Sequence, residues 1–85
     1  LEAMRFKPIF IGPWRYASAD LKIAAGTKYE RLIPKGSTVM PATLSAMFDP
    51  DAVERPDEFI PGRPKKTYLV YGHGIHVCIG AEVAR

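Results

Sequence analysis

The apolar positions do not keep one period along the chain, and each change of period marks an element. Residues 1–7 (LEAMRFK) are good helix formers that run into Pro8, whose ring disfavours helical geometry in the residue before it. The end of a helix is predicted there. A helix of that length is marginal alone and has no capping residue upstream, so it reads as the last turns of a longer one. Over residues 9–40, apolar and β-branched runs at 9–11, 21–24, 32–33 and 38–40 are separated by Gly12-Pro13, Gly26 and Pro34-Lys35-Gly36. That pattern predicts short antiparallel strands and hairpins. Residues 41–48 (PATLSAMF) place Pro41 at a first-turn position ahead of small and straight-chain residues, which predicts one short helix before Asp49-Pro50. Residues 49–68 have no hydrophobic period and are rich in Pro, Asp, Arg and Lys. They predict a long irregular loop, and such loops inside compact domains are more often functional than decorative. Residues 80–85 (GAEVAR) predict the opening of a further helix. The fold class expected is α+β, built from short helices, small antiparallel strands and one long loop.

A chain of 85 residues has little core to spare, so a large ligand pocket would need more chain than this. With 47% hydrophobic and 25% charged residues, the composition is that of a globular protein rather than a disordered one. No apolar run approaches the roughly 20 residues of a spanning helix, and no membrane segment is expected. The chain begins at Leu1 without a signal-peptide pattern, from which a start further upstream and a cytoplasmic location are expected. Lys and Arg number 12 against 9 Asp and Glu, a balance of +3 spread from Arg5 to Arg85. That excess is too small and too scattered to imply a nucleic-acid partner.

The chemistry concentrates near the C-terminal end. Residues 71–80 (YGHGIHVCIG) hold three glycines, both histidines and the only cysteine, Cys78, which therefore cannot form an internal disulfide. Gly72 and Gly74 permit positive φ and close approach to a flat or bulky partner. Cys78 falls just before the predicted helix, where free N–H groups and the helix dipole favour a thiolate, a soft metal ligand. Three other readings compete at this point. Cys78 could be a buried structural cysteine. It could join His73 and His76 at a zinc site, although no second ligand cluster exists. It could be a nucleophile with a histidine base, although no orienting partner is identifiable.

The ten residues 71–80 resemble the haem-binding loop of the cytochromes P-450, whose pattern is Phe, two residues, Gly, three residues, Cys, one residue, Gly. Gly74, Cys78 and Gly80 match in register, and His76 stands at the basic position two before the cysteine. Tyr71 stands where Phe is usual, keeping the aromatic face and adding a hydroxyl. Glu2-Ala3-Met4-Arg5 resembles the Glu-x-x-Arg of the family's K helix, and residues 59–63 (FIPGR) resemble its Phe-x-Pro-x-Arg segment. With Ile33-Pro34-Lys35-Gly36, Asp49-Pro50 and Ala84-Arg85, the resemblance extends over the whole chain.

The resemblance implies that residues 1–85 are the C-terminal haem-binding portion of a larger, mostly α cytochrome P-450 fold. In it, 1–7 end the K helix, 9–40 form strands, 49–68 the meander, 71–80 the cysteine-ligand loop and 80–85 the start of the L helix. It implies haem b, with Cys78 as iron ligand, His76 and Arg15 toward the propionates, and Tyr71, Gly72, Gly74 and Gly80 shaping the loop. Without that role Arg15 would be a solvated strand residue; His73, at a variable position, is expected to face solvent. Glu2, Arg5 and Arg63 are expected to form a structural ion network. The parent protein would insert oxygen from O2 into a small organic substrate, using electrons from a ferredoxin-like or reductase donor. Lys65, Lys66 and His73 would offer that donor positive charge. Segments that activate dioxygen lie elsewhere in the family, so this piece alone is expected to be inactive, to bind haem poorly and to self-associate. The readings set against this are a small haem-binding or electron-transfer module, a structural fragment that binds no haem, and, within the same class, a peroxide-driven peroxygenase.

Overall fold

The computed structural model describes residues 1–84. Helix α1 is Glu2–Phe6, and Lys7 leaves helical geometry (φ −132°, ψ 69°) immediately before Pro8. The proline therefore ends the helix where its ring forbids the α conformation in its predecessor. Four short strands follow: β1 (Arg15–Tyr16), β2 (Leu21–Ile23), β3 (Arg31–Ile33) and β4 (Thr38–Val39). They pair antiparallel as two ribbons, β2 with β3 inside β1 with β4. Leu21 faces Ile33 and Ile23 faces Arg31 in the inner ribbon, while Arg15 faces Val39 and Tyr16 faces Thr38 in the outer one.

The apolar run at 9–11 is not a strand. Its Ile11 carbonyl is taken by Thr43 Oγ1 at 3.2 Å and by the Leu44 N–H at 3.3 Å, and Pro13 has no N–H to give a ladder. Pairing starts only at Arg15. Helix α2 is Thr43–Ala46, with Ala42 at its N-cap, so Pro41 lies one residue before the cap rather than in the first turn. Residues 49–68 are irregular apart from one 3-10 turn, Lys65–Thr67. An Asx turn opens them, with the Asp51 N–H donating to Asp49 Oδ1 at 2.9 Å. A second 3-10 turn, Gly74–His76, leads to helix α3, Ala81–Ala84. Arg85, the last residue of the predicted helix, lies outside the described residues. The architecture is a small α+β arrangement of few helices and short antiparallel strands.

Its core is small and unusual. The buried apolar side chains among the described residues are Ala17, Met47, Val53 and Ala81, while the largest wholly buried ones are Arg5 and Met47. The radius of gyration, 14.7 Å, exceeds the value of about 12 Å for a compact domain of this length. Ile9, Tyr16, Ile75, Ile79 and Val83 are exposed. Among the described residues no helix is long and apolar enough to cross a membrane.

Candidate functional site

The site rests on an ion network in the core. A three-residue spacing puts Glu2 and Arg5 on one face of α1, and Arg5 donates to both carboxylate oxygens, Nε to Oε2 at 3.0 Å and Nη2 to Oε1 at 2.8 Å. Arg63 Nε and the Ile60 N–H each reach Glu2 Oε1 at 3.0 Å. The remaining Arg5 donors go to the carbonyls of Met47 (3.1 Å), Pro56 (2.7 Å) and Glu58 (3.1 Å). All five Arg5 N–H groups are thereby used, which a wholly buried guanidinium requires. The rings of Phe6 and Phe48 lie 4.6 Å from its central carbon. Arg63 adds bonds to the carbonyls of Glu54, Arg55 and Glu58, so two arginines stitch the meander onto α1. Arg55 takes positive φ (45°) where its carbonyl meets Arg63, a conformation uncommon for a residue with a Cβ.

The electrostatics follow from this geometry. The Arg5 hydrogen bonds, opposed by burial and helped by Ile60, Arg63 and Tyr68, hold the Glu2 carboxyl well below the usual carboxylate range. Glu2 in turn raises Arg5, and burial followed by its hydrogen bond to Glu2 pushes the Tyr68 hydroxyl up. Tyr68 and the three carbonyls receiving Arg5 are members that sequence reasoning missed. Backbone acceptors leave no mark in a sequence, and Tyr68 lies outside every motif.

The meander delivers the chain to the cysteine loop. The Leu69 N–H donates to Met47 Sδ at 3.2 Å, fixing the loop's entry to the core. The Cys78 N–H donates to the Tyr71 carbonyl at 2.8 Å and closes the loop. Within it Gly72 and Gly74 take φ of +81° and +64°. A Cβ on Gly72 would stand 2.9 Å from the His76 carbonyl oxygen, whereas one on Gly74 would meet open space. At Gly72 a side chain would thus press on the loop's own backbone, while at Gly74 the space is free. A Cβ on Gly80 would lie in ordinary contact with Cys78 Sγ, at 3.8 Å. The Tyr71 hydroxyl points toward Met4 Sδ (3.5 Å) in α1 and the Ala84 carbonyl (3.4 Å) in α3.

Cys78 is exposed in the 85-residue chain. Helix α3 begins at Ala81, one residue later than expected, and the Ala81 N–H bonds to the Cys78 carbonyl at 3.1 Å. His73, His76 and Cys78 do not converge as donors. Among the described residues no group of three or more His, Cys, Asp or Glu side chains could hold a metal ion.

The thiol instead opens into a cleft of about 350 Å³. This cleft is lined by Tyr71, Gly72, His73, His76 and Cys78 of the cysteine loop, by Leu69 before it, and by Phe10, Pro13, Arg15, Pro41 and Thr43 from earlier in the chain. The cleft therefore brings Arg15 to Tyr71, His76 and Cys78, from which it lies far apart in sequence, and its lining is mostly apolar. Glu2, Arg5 and Arg63 stand outside it, in the core. Lys65, Lys66 and His73 line a second cleft of about 260 Å³, which shares His73, Leu69, Tyr71 and Gly72 with the first.

The sequence model of the family described as cytochrome P-450 matches residues 1–85. Cytochrome P-450 119 of Sulfurisphaera tokodaii is 36% identical over 84 residues, 99% of this chain and 22% of its own length. The 2-hydroxy-5-methyl-1-naphthoate 7-hydroxylase of Streptomyces carzinostaticus is 39% identical over 79 residues, 92% of this chain and 18% of its own. Among solved structures, a thermophilic cytochrome P-450 from Sulfolobus tokodaii superposes with a TM-score of 0.82 at 35% identity, over 98% of this chain and 21% of that one. The chain belongs to the cytochrome P-450 family, a family of haem-thiolate oxidoreductases whose members bind haem b through a cysteine thiolate. It spans about a fifth of the length of the curated relatives it matches.

The residues present fit that cofactor. The chain's only cysteine exposes its sulfur in a cleft with apolar walls, which suits a flat apolar macrocycle. Arg15 and His76 line the same cleft and can each donate to a carboxylate.

Proposed function

We propose that this chain supplies the proximal, cysteine-bearing wall of a haem-thiolate monooxygenase, with Cys78 as the axial iron ligand. The observation that carries the proposal is the cleft that an exposed Cys78 shares with Arg15 and His76. Haem ligated by thiolate supplies the oxygen chemistry, because the sulfur pushes electron density toward the iron. The rest is done by the chain. Cys78 is held by its N–H bond to the Tyr71 carbonyl, so the sulfur's position follows from the loop's closure. Arg15 and His76 bind the propionates, while Tyr71, Gly72, Gly74 and Gly80 keep the loop close to the ring. The substrate of the full-length protein is a small organic molecule, with oxygen drawn from O2 and electrons from a ferredoxin-like or reductase donor.

Lys65 and Lys66, with His73, are the groups offered to that donor. Arg63 is consumed by the ion network, whereas these three share the second cleft, which adjoins the cysteine loop. A cytoplasmic setting suits a lone thiol that must stay reduced.

The test is Cys78→Ser in the full-length protein. The strongly red-shifted Soret band of the ferrous carbonyl complex should vanish. Its retention would overturn the assignment.

A further inference from the structure

Gly12 lies in the first of two segments that line the cofactor cleft, 10–15 and 41–43, and it is buried. It does not adopt positive φ, so conformation does not ask for glycine there. Room does. A Cβ on Gly12 would overlap the carbonyl oxygen of Pro41 and stand 3.2 Å from its carbonyl carbon and 3.3 Å from Met40 Cγ. The obstacle is backbone, which cannot swing aside as the tip of a flexible side chain would.

The neighbouring contacts show what that close approach holds together. On one side of Gly12, the Ile11 carbonyl accepts from both Thr43 Oγ1 (3.2 Å) and the Leu44 N–H (3.3 Å) at the start of α2. On the other side, Arg15 pairs with Val39, two residues before Pro41. The segment carrying Phe10, Pro13 and Arg15 is therefore fastened to the segment carrying Val39, Pro41 and Thr43 at three successive points. Gly12 is the middle one. A methyl group there would force the two segments apart, pull Ile11 from its donors, and shift the start of β1, where Arg15 stands.

We infer that Gly12 is a positioning residue for the cofactor: its missing side chain seats its segment on the Pro41 carbonyl and so fixes Arg15 in the cleft that Cys78 also lines. The inference rests on the proposed haem role of that cleft. Gly12 touches no cofactor itself; it acts through Arg15.

The experiment uses the full-length, haem-loaded protein and measures the rate of haem loss to an excess of apo-globin. Gly12→Ala, Arg15→Ala and the double variant form a cycle, and Thr43→Val, which deletes a donor to Ile11 without changing size, forms a second with Arg15→Ala. Gly12→Ala should speed haem loss roughly 10-fold, the usual order for losing an outer-shell support. Thr43→Val should do so by a smaller factor. On the Arg15→Ala background neither should add further acceleration, because groups acting through one another are not additive. Additive effects, or no effect of either change, would overturn the inference. If Gly12→Ala yields no folded protein, the Thr43→Val cycle decides alone. The ferrous carbonyl spectrum separates the two levels: if Cys78→Ser keeps the thiolate band, the reading of the cleft has failed. If the band depends on Cys78 but the cycles are additive, only the role of Gly12 has failed.

Discussion

An arginine with no exposed surface and a carboxylate only 4% exposed would destabilise this fold if either lost its partner, since a buried charge left alone costs several kcal/mol. Glu2 is the centre of that arrangement, accepting from Arg5, Arg63 and the Ile60 N–H. Its carboxyl is held below the ordinary value of 4.5, so the sign is that of a depressed acid. Its contribution to stability is fully present above that ordinary value and is lost as the pH falls through the lowered folded one. Glu2→Gln in the full-length protein should cost about 3 to 5 kcal/mol near neutral pH, because it strands two guanidinium groups. It should also flatten the loss of stability on acidification. Denaturant midpoints of both proteins, followed from neutrality down into the acid range, check the two parts separately. An unchanged midpoint with an unchanged acid slope would mean that the network contributes nothing to stability.

At the scale of the elements, the cysteine loop makes a distinction between two glycines that look equivalent in sequence. Both Gly72 and Gly74 occupy the left-handed region, where a side chain costs about 1–2 kcal/mol. Only at Gly72 would a Cβ also press on the His76 carbonyl. Gly72→Ala should therefore lower stability and haem retention more than Gly74→Ala, whose cost should stay near that conformational figure. Thermal unfolding and bound haem per chain would show the order, and a reversed order would mean that the cofactor occupies the open side of Gly74. Legibility in the sequence follows the same divide between local and distant causes. The end of α1 at Pro8, the β2–β3 hairpin and the irregular meander arise from residues beside them, and so could be read. Strand β1 could not, because its partner lies more than twenty residues away and the apolar run beside it, 9–11, is diverted to α2. The role of Gly12 was hidden for the same reason: the atom that demands it belongs to Pro41.

For the whole molecule, surface decides more than core. Lys65 and Lys66 are exposed next to the cysteine loop, and positive charge there should steer an acidic electron donor, raising its encounter rate more than its final affinity. Stopped-flow reduction of the full-length protein by its donor should slow when Lys65→Glu and Lys66→Glu are combined. Its salt dependence should flatten too, since screening over about 10 Å at 0.1 M already removes much of such steering. Unchanged rates would take the lysines out of the encounter. The apolar surface makes a different demand. Ile75 and Ile79, 97% and 103% exposed, flank the thiol, while Ile9, Tyr16 and Val83 are also open. Against them stand only four buried apolar side chains among the described residues, too few to offset the entropy of ordering a chain of this length. Exposed apolar side chains on that scale mark a surface that something else covers, and in the 85-residue chain by itself the available cover is another copy. The isolated chain should therefore sediment as concentration-dependent oligomers and take up haem weakly, with no thiolate carbonyl band. A monomer that bound haem tightly and gave that band would show instead that the cleft is complete within these residues.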